Sequence, residues 1–293
     1  MISSPLGKSR KLDITKKHGD GYKLAKNPEL LSVRGINASL DADAAASIRH
    51  LALLGTIDST NSFVKRFSEE HGQTRIVALA ERQTAGRGRH GRRWLSSFAG
   101  GINLSILWEF ELGASSLEGL SLAAGVAVRR ALTQMGVSGV QLKWPNDLFL
   151  SEKKVGGILM EVLGDPSGPC SVIVGVGINH CISDAVGENI DQPFTDIVSE
   201  VPGYVSRNAL CAALISQLIE LLDSYESTGF IDYRDEWQQC DITLGKKCTI
   251  QTGKKSITGV AMGIDSNGAI ILRTEDGEEI RFVGGNLSLR LAK

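Results

Sequence analysis

Residues 81–94 read ERQTAGRGRHGRRW, and the reading of this stretch decides the fold. Gly86, Gly88 and Gly91 match G-x-G-x-x-G, and RIVALAE (75–81), just before them, has the β-branched, apolar character of a strand. That pattern opens a dinucleotide-binding βαβ unit only when a helix follows at once, because the helix N-terminus carries the pyrophosphate. RRWLSSFAGGINL (92–104) offers no helical stripe, so the doubly wound parallel sheet is set aside. No G-x-x-x-x-G-K-[ST] phosphate loop occurs either. An anion-binding loop remains: glycines let backbone approach a ligand, and Arg87, Arg89, Arg92 and Arg93, with His90, bring donors that match carboxylates and phosphates. The alternatives are a solvated basic loop and a nucleic-acid surface. A formal net charge of −1 over 293 residues speaks against the second, which needs a broad basic face.

Outward from the loop, strand and helix patterns alternate between Leu51 and about Asp241. Strands are expected at LALLGTI (51–57), RIVALAE, INLSILWEF (102–110), GVQLKW (139–144), KVGGILMEV (154–162) and CSVIVGVGI (170–178). Long helices are expected at 117–136 and 206–225. This is an α+β or mixed α/β body. From Thr243 the pattern turns to short strands with turn signals at Ser266-Asn267-Gly268 and Asp276-Gly277, a small all-β barrel. Before the body, residues 1–26 carry seven Lys/Arg against two Asp, with a hairpin turn at HGDGYKL (18–24), and NPELLSVRGINASL (27–40) reads as a short amphipathic helix. The boundaries expected are therefore 1–26, 27–241 and 242–293.

Five cysteines, none at C-x-x-C spacing, suggest neither a disulfide framework nor a zinc site, and fit a reducing compartment. No apolar run approaches the roughly 20 residues that span a bilayer, and the N-terminus has no signal-peptide character. No membrane role is expected.

Four other stretches carry chemistry. Asp58-Ser59-Thr60-Asn61 precedes the amphipathic SFVKRF and reads as a helix N-cap. In Lys143-Trp144-Pro145-Asn146-Asp147 the proline ends a strand and the Asn-Asp pair makes a turn. In Lys154-Val155-Gly156-Gly157-Ile158-Leu159 the paired glycines suggest close approach of a ligand, or else a bulge or tight packing. Gly175-Val176-Gly177-Ile178-Asn179 ends a strand, and the following 180–196 reads as a long functional loop. In this order and spacing, together with GRGRHGRRW, these motifs resemble the biotin protein ligase family. The likeness is greatest to the bacterial ligases that double as biotin-operon repressors, and it covers nearly all of the chain after about residue 20.

The resemblance implies a catalytic domain of the biotin/lipoate ligase type with a C-terminal SH3-like barrel. It implies a cytoplasmic enzyme, a biotin–[biotin carboxyl-carrier protein] ligase, that makes biotinyl-5′-AMP from biotin and ATP with Mg2+. Biotin then passes to a lysine of a biotin carboxyl carrier protein such as that of acetyl-CoA carboxylase. By the same resemblance Ser59, Thr60 and Asn61 hold the ureido head and Gln83 is a further biotin contact. Arg87, Gly88 and Arg89 belong to the biotin-binding segment that folds over the biotinyl-adenylate, and Arg89 and Lys154 lie at the carboxylate and α-phosphate. Arg92 lies nearer the outer phosphates, and Trp94, Asn179 and Phe194 serve the adenylate. Lys143 and Asp147 stand at the reaction centre, where Asp147 either touches magnesium or orients the acceptor amine. The 84–95 and 181–195 loops are expected to order on ligand binding. Phe194 stands where the repressor-type ligases carry tryptophan, and Leu95 where they carry an aromatic residue, which puts the adenine contacts in doubt.

HGDGYKLAKNPELL resembles the wing of a winged helix-turn-helix domain, so 1–26 reads as its remnant. About 17 residues precede the wing, too few for the DNA-reading helices. The expectation is a chain without sequence-specific DNA binding, or one whose start has been placed too late. Homodimerisation is left open. A lipoate-type protein ligase and a biotin-sensing repressor are the rival readings.

Overall fold

The computed structural model describes residues 14–16, 22–24, 28–164, 168–252, 255–284 and 287–291. Strands β1 (Ile14–Lys16) and β2 (Tyr22–Leu24) pair antiparallel; the turn expected between them lies outside the described residues, as does the rest of 1–26. The helix expected over 27–40 shrinks to α1 (Val33–Asn37), and α2 (Ala42–Ser47) follows. Residues before Ser32 are drawn out of helix by side chains elsewhere: Leu31 N donates to Glu81 Oε1 (2.6 Å) and Ser32 N to Asn208 Oδ1 (2.8 Å).

The body continues through β3 (His50–Ile57), α3 (Thr60–His71), β4 (Ile76–Gln83), β5 (Gly86–Arg87), β6 (Arg93–Trp94), β7 (Gly101–Phe110) and α4 (Leu120–Gln134). Then come β8 (Gln141–Lys143), β9 (Asp147–Leu150), β10 (Lys153–Gly164), β11 (Cys170–Asn179), α5 (Asp184–Gly187), α6 (Ile197–Glu200), α7 (Arg207–Thr228) and α8 (Ile231–Gln239). The sheet order is β3-β4-β7-β11-β10-β9-β8, parallel between β3 and β4 and antiparallel elsewhere. This is a mixed α/β fold. Among the elements that escaped the sequence reading are β9, hidden behind a turn, and α8, which buries only Tyr233 and Trp237 among polar neighbours.

Strand alternation sorts the sheet's two faces. Ile102, Leu104 and Ile106 of β7 and Val172, Val174, Val176 and Ile178 of β11 join the main core with residues of α4 and α7. Leu107 and Ile173 face the other way, packing with Ile76, Ala78 and Val64 under α3. Helix α3 is short, and the strand positions past it on its own face are Asn103, Ser105, Gly175 and Gly177. Strong side chains fill the covered part; polar groups and glycines line what α3 leaves open.

The C-terminal unit holds β12 (Lys247–Thr252), β13 (Lys255–Ile264), β14 (Ile270–Arg273), β15 (Glu279–Phe282) and β16 (Leu287–Leu291), an antiparallel sheet ordered β15-β14-β13-β12-β16. Its turns fall at the expected glycines, Gly268 at φ +82° and Gly277 at φ +83°. Gly268 also joins the two units: its carbonyl accepts from Trp144 Nε1 at 3.1 Å, and a Cβ there would stand 2.8 Å from Leu122 Cδ1.

Candidate active site

The loop that opened the sequence reading is a hairpin, not a helix entry. Gly86 pairs with Trp94 and Arg87 with Arg93, and between them Gly88 N donates to Arg92 O at 2.8 Å. The tip turns through His90 at φ 57° and Gly91 at φ 70°, left-handed conformations that favour glycine. Thr84 N to Ile57 O and Ala85 N to Asp58 O stitch the hairpin's base to the β3–α3 turn. The arginine loop and the N-terminus of α3 therefore share one end of the sheet.

Ser59, Thr60 and Asn61 are buried there, and their side chains are spent differently from the cap expected of them. Ser59 occupies the N-cap position with extended backbone, yet its side chain makes no capping bond. Gln83 Oε1 instead receives Thr60 N (2.8 Å) and Thr60 Oγ1 (3.1 Å), and Gln83 Nε2 donates to Asn103 Oδ1 (3.2 Å). Asn103 Nδ2 in turn reaches Ala80 O and Ser96 Oγ, each at 3.1 Å. Ser105 Oγ lies 2.7 Å from Thr60 Oγ1 and 2.6 Å from Asn61 Oδ1. Asn61 Nδ2 donates to Glu161 Oε2 at 2.6 Å, and the same oxygen holds Arg87 Nη2 at 3.0 Å. This is a neutral, hydrogen-bonded floor that ends at a charged mouth.

Cations gather beyond that mouth. A cleft of about 590 Å³ is lined by Arg87 through Gly91, Leu159 and Glu161. Arg89 Nη1 reaches Asn146 Oδ1 and its Nη2 reaches Leu287 O, both at 3.4 Å, so the loop also touches the C-terminal unit. Lys154 Nζ pairs with Asp147 Oδ1 at 2.6 Å. Lys143 is cross-strand partner to Asp147 and lays its Nζ 5.4 Å from the Phe149 ring centroid. Burial lowers the proton affinity of Lys143, Asp147 opposing and Lys154 adding to the shift; burial likewise lowers that of Arg89, against Asp147. Arg92 is exposed on the loop.

The adenylate candidates lie around the same strands. Gly177 has no side chain because Trp94 lies over it: a Cβ would stand 2.5 Å from the indole Cε2. Asn179 is buried, with Nδ2 committed to Thr195 O at 3.0 Å. Phe194 forms an isolated parallel bridge to Lys154 and packs its ring on Gly187 of α5, so the expected loop carries two short helices, α5 and α6. Of the paired glycines, Gly156 is explained by packing, since its Cβ would meet Ile178 Cδ1 at 2.6 Å. Only Gly157 faces the site, where a Cβ would lie 3.5 Å from Asp147 Oδ1.

Residues 53–179 match the model of the biotin/lipoate A/B protein ligase family, and residues 243–290 match the biotin protein ligase C-terminal domain. The bifunctional ligase/repressor BirA of Escherichia coli is 34% identical over 283 residues, which cover 96% of this chain and 85% of that protein. The chain belongs to the biotin protein ligase family. The biotin–[acetyl-CoA-carboxylase] ligase of Paracoccus denitrificans is 30% identical over 78% of this chain and 96% of its own length. A structure of the Aquifex aeolicus biotin protein ligase in complex with biotin and ATP matches with a TM-score of 0.70 and 29% identity, over 84% of this chain and 100% of that one. A C-terminal match of this kind favours a biotin ligase over the lipoate-type reading.

Three side chains in the floor's hydrogen-bonded network, Asn103, Ser105 and Glu161, were absent from the sequence reading. Asn103 and Ser105 lie inside the expected strand INLSILWEF and Glu161 inside KVGGILMEV. The usable signal was period: Asn103 and Ser105 fall on one face of β7, as Gly175 and Gly177 do on β11.

Proposed function

We propose that the chain catalyses both half-reactions of a biotin–[biotin carboxyl-carrier protein] ligase: formation of biotinyl-5′-AMP from biotin and MgATP, then transfer of biotin to one lysine of a carrier protein. The observation that carries this reading is the site's two-part character. A neutral polar floor (Ser59, Thr60, Asn61, Gln83) adjoins a cationic mouth (Arg87, Arg89, Lys154, Lys143), which suits a molecule with a neutral ureido ring at one end and a carboxylate at the other.

In the first step a biotin carboxylate oxygen attacks the α-phosphorus of ATP, the bond to the β-phosphate oxygen breaks, and pyrophosphate leaves. Two anions must meet, so Arg89 and Lys154 offset their repulsion and the charge that builds at phosphorus. The Gly88 backbone lets the loop close on them, Arg92 reaches the leaving phosphates, and Trp94, Asn179 and Phe194 bound the nucleoside. In the second step a neutral acceptor amine attacks the carbonyl of the mixed anhydride, AMP leaves, and the amine loses its proton. Asp147 is released for that amine once the ligand's anions draw Lys154 away. Magnesium enters with ATP as part of the substrate. Among the described residues there is no cluster of three His, Cys, Asp or Glu side chains to hold a resident ion. Among them, too, no helix is long and apolar enough to cross a membrane; a cytoplasmic location, where ATP and a carrier meet, belongs to the same proposal.

Transfer is tested by incubating the protein with biotin, MgATP and a biotin carrier domain and weighing the carrier. The expected product gains one biotin at one lysine and none when that lysine is replaced by arginine. A carrier of unchanged mass, or one modified without ATP, contradicts the proposal.

A further inference from the structure

We propose that Glu161 is a positioning residue that sets the hydrogen-bond polarity of the pocket floor, and through it the pocket's preference for an N–H donor. The inference rests on the reading of Thr60 and Asn61 as contacts of the biotin ring. An ionised carboxylate only accepts hydrogen bonds. With Glu161 Oε2 at 2.6 Å, Asn61 must turn its NH2 toward it, which aims Oδ1 at Ser105 Oγ, 2.6 Å away. The amide has nowhere else to sit, because it lies over Gly175, where a Cβ would come 2.2 Å from Oδ1. Ser105 is fully buried and has one hydroxyl proton, which goes to Asn61 Oδ1. Ser105 Oγ also lies 2.7 Å from Thr60 Oγ1, whose own proton goes to Gln83 Oε1 at 3.1 Å.

Order from the far side agrees. Ala80 O can only accept, so Asn103 turns its NH2 there and its Oδ1 toward Gln83 Nε2, leaving Gln83 Oε1 to take Thr60 N and the Thr60 hydroxyl proton. Thr60 Oγ1, its proton given inward, is left with lone pairs for a ligand, and a ureido N–H is a donor that fits them. Without Glu161 the Asn61 amide can flip, and Ser105 can then turn its proton to Thr60 Oγ1 and take up a lone pair meant for the ligand. The same Glu161 oxygen holds Arg87 at 3.0 Å, so the group that orders the floor also tethers the anion loop beside it.

The test is steady-state pyrophosphate release against biotin concentration for Glu161→Ala, Glu161→Gln, Asn61→Ala and the Asn61→Ala/Glu161→Ala pair, each with a thermal melt. Glu161→Ala should raise KM for biotin about tenfold with kcat within about twofold, as expected for an orienting bond whose loss weakens ground-state binding. Glu161→Gln, which keeps a carbonyl acceptor for Asn61, should stay within about threefold of the parent KM. In the Asn61→Ala background, removing Glu161 should raise KM by clearly less than the roughly tenfold it causes alone, what remains being the loss of its tether to Arg87. An unchanged KM in Glu161→Ala, a glutamine variant as impaired as alanine, or independent effects in the pair would overturn the inference. Absence of biotin-dependent pyrophosphate release in the parent protein would instead count against the ligase reading itself.

Discussion

Lys154 and Arg89 approach the cleft from different elements, one off β10 and one off the β5–β6 hairpin, and neither is replaceable by the other. Lys154 is held by Asp147 with its side chain 14% exposed, while Arg89 is drawn toward Asn146 and the Leu287 carbonyl. Replacing either by alanine removes a cation where two anions react, a loss on the order of 2–4 kcal/mol, or roughly 30- to 1,000-fold in rate. Pyrophosphate release in Lys154→Ala and Arg89→Ala checks this, and parent-like rates in both would remove them from the chemistry. Lys143 adds a pH signature. Because burial lowers its proton affinity, its charge is complete at low pH and disappears as pH rises through a value below the ordinary lysine range. Adenylate formation should therefore fall on the alkaline side, and Lys143→Arg, which stays protonated, should move that limb upward. A profile identical in both proteins would show that Lys143 does not bear on the step.

Strand β11 shows what an element adds to its residues. Its valines and isoleucine fill the core on one side, while Gly175 and Gly177 open the other for Asn61 and Trp94. A methyl group at Gly175 would press on Asn61 Oδ1, and one at Gly177 on the indole. Gly175→Ala should raise KM for biotin and Gly177→Ala KM for ATP, each by about tenfold, because the Asn61 amide and the Trp94 indole must shift to make room. Equal effects on both substrates from either change would contradict the assignment. The 84–95 hairpin and the 181–195 segment should exchange backbone hydrogens more slowly when biotin and ATP are added together; unchanged exchange in both would contradict their role. Much of this was legible in the sequence. The absence of a helix after GRGRHGRRW excluded the dinucleotide fold, and six of the seven strands in the body's main sheet stood out by their apolar runs. Strand β9 was masked by the turn signals of Pro145 and Asn146. Ser59 looked like a cap because cap and ligand site draw on the same small polar residues, and only the packing of α3 onto β4 and β7 separates them. Glu161 was unreadable because its meaning depends on a partner 100 positions away.

Across the whole molecule, one buried ion pair ties the N-terminal segment, the site strand and the long helix. Arg207, 1% exposed at the start of α7, donates to Glu81 Oε2 at 2.8 Å and Gly101 O at 2.9 Å, while Glu81 Oε1 takes Leu31 N. Removing one partner leaves the other charge buried, at a cost of about 3–5 kcal/mol. Urea unfolding of Arg207→Ala should show a loss of that size, and a change under about 1 kcal/mol would mean that the pair is dispensable. Glu81 lies two residues before Gln83 on β4, so the same pair steadies the floor of the pocket from behind. The account's central claim is that this floor and the arginine loop together activate biotin. Its most direct measurement is the mass of the acyl-adenylate formed from MgATP with biotin and lipoate supplied in equal amounts. The account predicts biotinyl-5′-AMP with release of pyrophosphate; lipoyl-AMP as the main product, or no adenylate at all, would contradict it.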